Sequence, residues 1–299
     1  MSVLIRAQGL NKYFGQKHAL NNVDFEIEKG APVALVGPNG AGKTTLFSIL
    51  CGYIKPSSGE VSVFDVRPGS SATFSRLAAL PQDAQLDPRF SIAHQLKFYA
   101  QLQGLNNKQS QYEAERTLEL VGLRDVLNEK PQALSHGMRK RVTIAQALIG
   151  SPEIVMLDEA TAGLDPRHAR EVREVVAKLS EQTTFILSSH DLSELERLCQ
   201  QVLYLENGQL KQHQTLQQDE SINFYTLRME RKETGFIEIL SSLTPVVDVV
   251  NSQDKEYIIS VINDEQQPPF DVQLLQLCHQ HHWRYRQLIN GKTLENQLF

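Results

Sequence analysis

Cysteine is scarce and scattered. Cys51, Cys199 and Cys278 are the three in 299 residues; none forms a C-x-x-C unit, so the spacing reads as reduced thiols in a cytosolic chain and excludes a disulfide framework. Positive charge is not in excess either, with 30 Lys and Arg against 35 Asp and Glu for a formal charge of −5. That balance gives no global basis for a nucleic-acid binder, and no nucleic acid is expected as a partner. No apolar run approaches the roughly 20 residues that a helix needs to cross a bilayer. The opening "MSVLIRAQGLNKYFG" sets Arg6 and Lys12 inside what would have to be an apolar segment, so a signal peptide is not expected. Sustained heptads are missing too, which argues against long coiled coils.

The chain holds short buried-type strands alternating with helical patterns. Residues 3 to 7 and 19 to 27 read as strands, and "APVALVG" (31 to 37) as a buried strand ending at a glycine. A helix follows in "PNGAGKTTLFSILCGY", then a strand in "GEVSVFD". From about 85 the texture turns helical, with "SIAHQLKFYAQLQGL" and "YEAERTLELVGL" separated by the polar run "NNKQSQ". "EIVMLDEA" and "TTFILSSH" read as central strands around an amphipathic helix whose apolar face carries Val172, Val175, Val176 and Leu179. The alternation predicts an α/β fold with a largely parallel sheet, whose strand ends are the place for chemistry. The polar segment "LKQHQTLQQDES" predicts a boundary near 217, dividing 1–217, with a helical subdomain at about 85–150, from 218–299. The second part reads β-α-β-β-α-β, the order of a ferredoxin-like domain, with "TLENQLF" as a terminal turn or helix.

"GPNGAGKT", Gly37 to Thr44, matches G-x-x-x-x-G-K-[ST] between a predicted strand and helix, the context its mechanism requires. Its glycines let backbone N–H groups wrap phosphates at a helix N-terminus. Lys43 would reach the β- and γ-phosphates and Thr44 would ligate Mg2+. Asp158, ending "IVMLD", can hold Mg2+ directly or through water, and Glu159 can polarise the attacking water. His190, past the next strand, would contact the γ-phosphate or orient water. In "LSHGMRKR" the neighbours Ser135 and His136 do not establish a nucleophile geometry, and no orienting carboxylate is indicated. Arg139, Lys140 and Arg141 read as a solvated or ion-paired face rather than a nucleic-acid patch. "CHQHH", Cys278 to His282, does not aim its side chains at one point on a helix, so surface and packing roles are expected there.

These residues together resemble the ATP-binding subunit of an ABC transporter, of the exporter type with small membrane subunits (ABC-2-like). "GPNGAGKTT" resembles the Walker A segment, "LSHGM" the signature, "IVMLDE" the Walker B segment and "AGLDP" the D-loop; Gln82 in "ALPQD" resembles the Q-loop glutamine and His190 the switch histidine. The elements keep the family's order over residues 3 to about 215. The resemblance implies a P-loop NTPase core with an antiparallel β subdomain and a helical subdomain, hydrolysing ATP with Mg2+. Gly37, Pro38, Asn39, Gly40, Ala41, Gly42, Lys43, Thr44 and Thr45 would bind the nucleotide, with Tyr13 stacking on adenine. Glu159, His190, Lys43 and Gln82 would be catalytic, and Thr44, Gln82 and Asp158 would hold the metal.

It further implies a head-to-tail pair of copies in which Ser135 and Gly137 cover the ATP of the opposite chain. A separately encoded polytopic permease would hold the pair on the cytoplasmic face of the membrane, receive its coupling near "DAQLDPRFSIAHQLKF", and export its cargo. The signature departs from the commoner "LSGGQ" at His136 and Met138, where His136 is expected to tune closure without entering the chemistry. The alternative is a regulatory or translation-associated ABC ATPase without a pore.

Overall fold

The computed structural model describes residues 2–161, 163–189, 195, 198–199, 201–215, 222–262 and 269–291. Two compact units divide the chain, Met1–Thr215 and Leu216–Phe299.

The first unit carries two sheets. Strands β1 (Val3–Phe14), β2 (Lys17–Glu28) and β4 (Ser58–Val63) form an antiparallel sheet in the order β2-β1-β4. β1 and β2 are longer than the apolar patterns at 3–7 and 19–27 predict. Register shifts around Leu10 and Lys12 let the hairpin continue through polar residues to its turn at Gly15 and Gln16. The second sheet has the order β5-β6-β7-β3-β8-β9 among the described residues, from β5 (Leu77–Leu80), β6 (Ile154–Asp158), β7 (Thr184–Ser188), β3 (Val33–Val36), β8 (Gln201–Glu206) and β9 (Gln209–Thr215). Its strands are parallel from β5 to β8, and β9 runs antiparallel at the edge. β3 and β7 are buried at every residue, as expected of parallel strands covered on both faces.

Helix α1 (Lys43–Leu50) directly follows the phosphate-loop motif. Its Leu46, Ile49 and Leu50 are at most 2% exposed and join one core with Ile5, Leu20 and Ile27 of the antiparallel sheet and Met156 of the parallel sheet. Leu46→Ala would cost about 2–5 kcal/mol there. That packing fixes where the N-terminus of α1 points.

The helical part comprises α2 (Ile92–Leu102), α3 (Asn107–Leu120) and α4 (His136–Ala147). The polar run at 106–111 does not merely separate the two helical patterns but opens the second of them. Asn106 and Gln109 form a reciprocal capping box, with Gln109 N–H donating to Asn106 Oδ1 and Asn106 N–H to Gln109 Oε1, so "NKQSQ" is the first turns of α3. Helix α5 (Pro166–Leu179) starts at an Asp165 cap and buries Ala169, Val172, Val176 and Leu179.

The second unit runs β10 (Ile222–Met229), α6 (Phe236–Ser241), β11 (Val246–Gln253), β12 (Glu256–Ile262), α7 (Phe270–Gln280) and β13 (Tyr285–Asn290). Its strands pair antiparallel in the order β11-β12-β10-β13, the ferredoxin-like connectivity. Phe236 of α6 packs against Tyr257 and Trp283 at centroid separations of 4.5 and 4.9 Å. Cys278 lies in this core and His281 stacks on Trp283. The segment "TLENQLF" lies outside the described residues.

Candidate functional site

The phosphate loop lies between the buried end of β3 and the start of α1. Gly37 has to be glycine on packing grounds: a Cβ there would sit 2.0 Å from the Leu205 carbonyl oxygen of β8. The loop closes on itself through Ala41 N–H to Pro38 O at 3.1 Å, and Gly208 N–H donates to Ala41 O at 3.0 Å. Lys43 is 9% exposed and folds back, its Nζ donating to Gly37 O at 2.6 Å and Pro38 O at 3.3 Å. Thr44 and Thr45 occupy the first turn of α1, which carries no acidic side chain, so the positive end of that helix keeps its full attraction for an anion.

Opposite the loop stand the strand-end acids. β6 and β7 are in parallel register with Asp158 beside Ser188, and Leu35 of β3 also pairs with Ser188. The Ser188 hydroxyl donates to Asp158 Oδ1 and accepts the Glu159 backbone N–H at 3.1 Å. Glu159 turns the chain with φ of 51° and is 8% exposed. A cleft of about 180 Å3 brings Asn39, Lys43, Thr44, Gln82, Asp158 and Glu159 together, with Lys17 at its border. Hollows of about 470 Å3 beneath the Gln82 segment and 710 Å3 beside β1 and β4 are larger. Backbone donors of the glycine loop and paired acids, not volume, make the smaller cleft the candidate site.

Thr44, Gln82 and Asp158 offer hydroxyl, amide and carboxylate oxygens, the hard donors that suit Mg2+. Lys140 of α4 lies near the acids. Burial pulls its ammonium below the ordinary lysine value, against the upward pull of the Asp158 and Glu159 carboxylates. Neither Ser188 nor Lys17 nor Lys140 stands out as a site residue in the sequence. Ser188 is one of two strand-end serines, and only the register singles it out.

Three other expected contacts do not line this cleft. Tyr13, at 48% exposure, stacks on its β2 neighbour His18 with centroids 4.0 Å apart and planes 13° apart. Ser135 is the exposed N-cap of α4, and its Oγ accepts Met138 N–H at 3.2 Å, leaving its O–H to donate outward. Gly137 is buried against His168 of α5, whose ring a Cβ would meet at 2.4 Å. Of the basic run, Arg141 is structural: its guanidinium donates to Val121 O at 3.2 Å and pairs with Glu171 at 3.2 Å. His190 lies outside the described residues.

Comparison with known proteins shows the family. The family model described as "ABC transporter" matches residues 20–162. The ABC transporter ATP-binding protein YxlF of Bacillus subtilis is 32% identical over 239 residues, covering 79% of this chain and 80% of that one. The chain belongs to the ATP-binding proteins of ABC transporters. This ABC ATPase is also 30% identical to the linearmycin resistance ATP-binding protein LnrL of Bacillus subtilis, over 69% of this chain and 68% of the relative. A Nod factor export ATP-binding protein I from Bradyrhizobium diazoefficiens is 35% identical over 67% and 66% of the two chains. Among solved structures, cbiO1 of Clostridium perfringens, part of the transporter complex cbiONQ, superposes with a TM-score of 0.66 and 26% identity over 72% of this chain and 89% of that one. A dimeric bacterial ABC transporter cassette matches with a TM-score of 0.64 and 25% identity over 72% and 100%. As a member of this family, the ABC ATPase hydrolyses ATP to ADP and phosphate in support of transport.

Proposed function

We propose that this ABC ATPase binds ATP with Mg2+ in the cleft between the phosphate loop and the Asp158–Glu159 turn, and completes the site with Ser135 and Gly137 of a second copy. The carrying observation is the division of the parts. One chain gathers Lys43, Thr44, Gln82, Asp158 and Glu159 in one cleft of about 180 Å3, while Ser135 stands exposed at the head of α4 with its O–H available.

In this reading the loop N–H groups and Lys43 hold the β- and γ-phosphates, and Tyr13 stacks on adenine. Thr44, Gln82 and Asp158 hold Mg2+, which supplies charge neutralisation at the phosphates. Glu159 accepts a proton from the attacking water, His190 contacts the γ-phosphate or that water, and the partner's signature turn meets the charge that changes during phosphoryl transfer. Closure therefore requires intact ATP, and hydrolysis releases it.

The work is transport, in the export direction, through a separate membrane subunit that holds the dimer at the cytoplasmic face. Relatives named for Nod factor export and linearmycin resistance support the direction. A docking surface is supported by the hollow of about 470 Å3 lined by Gln82, Leu86, Pro131 and Arg139. Separately, α2 exposes Phe98 (51%) and Leu102 (60%) four residues apart, preceded by Phe90 (40%) stacked on His94. Leu216–Phe299 is read as an accessory domain.

The test is Glu159→Gln in the full chain with ATP and Mg2+. Retained ATP binding, loss of ADP production and a doubled mass by light scattering are expected. Turnover at the parental rate, or a mass that stays monomeric, would sink the reading.

A further inference from the structure

Helices α4 and α5 meet through Gly137 and His168 and through Arg141 and Glu171. Gly137 meets His168, with the glycine α-carbon so close that a Cβ would stand 2.4 Å from the ring. One turn on, Arg141 pairs with Glu171 at 3.2 Å. Both contacts advance along both chains in the same sense, so the helices run side by side with neighbouring N-termini. Ser135 caps one end and Asp165 caps the other, through Arg167 N–H and His168 N–H, each at 3.1 Å.

The His168 ring belongs to both ends at once. Its ring lies against the backbone of Gly137, and its Nδ1–H donates to Asp165 Oδ2 at 2.5 Å. That bond is the leading reason the Asp165 carboxyl lies below its ordinary range. An imidazole tethered at one nitrogen is held in one orientation, so the surface that backs Gly137 is fixed by the residue that starts α5. Glycine is the residue that allows this approach, since any side chain at 137 would enter the ring.

We infer that His168 is a positioning residue for ATP-driven closure: through its bond to Asp165 it sets the Ser135–Gly137 turn in the orientation that meets the partner's nucleotide. The inference rests on the proposed role of the signature turn in closing the dimer. His168 touches neither nucleotide nor metal in this assignment. Its effect falls on closure and not on nucleotide capture, because Lys43 and Thr44 lie in a cleft that His168 does not line.

The experiment uses the full chain carrying Glu159→Gln, with ATP and Mg2+, and measures the monomer–dimer dissociation constant by sedimentation. A fluorescent ATP analogue reports the affinity of the monomer. His168→Ala is expected to weaken dimerisation about tenfold while monomer affinity stays within about twofold. Asp165→Ser keeps a capping oxygen for α5 but removes the carboxylate that holds the ring, and is expected to weaken dimerisation similarly. The double variant should be no worse than the weaker single, because both remove one linkage. His168→Gln, whose amide can donate to Asp165, should recover most of the closure.

Parental dimerisation in His168→Ala, or additive losses in the double variant, would overturn the assignment. Ser135→Ala separates the two levels. If it leaves dimerisation unchanged, or if the Glu159→Gln parent stays monomeric with ATP, the signature reading itself falls and His168 with it. If Ser135→Ala weakens dimerisation and His168→Ala does not, only the His168 assignment fails.

Discussion

Ser188 joins the two acidic residues of the site, donating its hydroxyl to Asp158 and accepting the Glu159 backbone N–H at 3.1 Å. One side chain at the end of β7 thereby orients both the carboxylate assigned to Mg2+ and the turn that aims Glu159. At 2% exposure, neither bond is readily replaced by water. Ser188→Ala removes one acceptor from the Glu159 N–H, which also donates to the Ser188 carbonyl at 3.2 Å, and loosens a buried network at about 1–3 kcal/mol. Expressed in the transition state, this lowers kcat by about 10–100-fold, with ATP affinity within a few-fold of the parent. Ser188→Thr, which keeps the hydroxyl, should retain most activity. A parental kcat in Ser188→Ala would show that the bridge is not needed.

The phosphate loop separates steric from conformational roles for glycine. At Gly37 a Cβ would collide with a backbone oxygen of the neighbouring strand at 2.0 Å, where β3 and β8 are paired and cannot part cheaply. At Gly40 the space is open, and only its φ of +83° disfavours a side chain. Gly37→Ala is therefore expected to cost about 3 kcal/mol or more of stability, and Gly40→Ala about 1–2 kcal/mol. Urea denaturation of the two variants checks the order; equal midpoints would contradict it.

The parts legible in the sequence are those whose physics is local. A glycine run between a buried strand and a helix has few meanings, so the sequence alone marks Gly37 to Thr44, and likewise the acids after "IVML". The central strands were readable because burial on both faces demands unbroken apolar runs. What failed to show was set by pairing between distant segments. Polar residues in the β1–β2 hairpin continue the strands through register shifts around Leu10 and Lys12, which no apolar pattern marks. "NKQSQ" reads as a polar break between two helices until Asn106 and Gln109 cap each other. Ser188 and Lys140 acquire meaning only when β7 and α4 are brought beside β6, and the His168 ring only when α5 is laid along α4.

The thiols offer a pH test with a defined sign. Burial raises the thiols of Cys51, at the C-terminus of α1, and Cys199 to about 12, well above the ordinary thiol value of 9.0. The folded state thus keeps protons that the unfolded chain releases above 9.0. The stability linked to them is fully present below that pH and is lost as pH rises toward about 12. Iodoacetamide at pH 8 should leave both residues unmodified in the native protein and label both in denaturant. Rapid native labelling of Cys51 would contradict its half-buried, protonated state.

The exposed apolar pair on α2 should matter to a partner and little to the chain itself. Phe98 and Leu102 are 51% and 60% exposed, so polar replacements should change stability by no more than about 0.5 kcal/mol. Phe98→Asp with Leu102→Asp is expected to leave nucleotide binding and basal turnover intact and to abolish stimulation by the membrane subunit. Full stimulation in that double variant would move the docking surface elsewhere.

Each unit carries its own core, one centred on Leu46, Ile49 and Met156 and the other on Phe236, Ile259 and Trp283. All residues of the cleft proposed for the nucleotide belong to the first. A ligand that binds only the folded first unit adds free energy to that unit, about 2.7 kcal/mol at a concentration one hundred times its Kd. Calorimetry with and without ATP and Mg2+ in the Glu159→Gln variant should therefore raise one transition and leave the other in place, and Lys43→Ala should remove the rise. Equal movement of both transitions would mean that the two units unfold as one, and persistence of the rise in Lys43→Ala would mean that the nucleotide is held elsewhere.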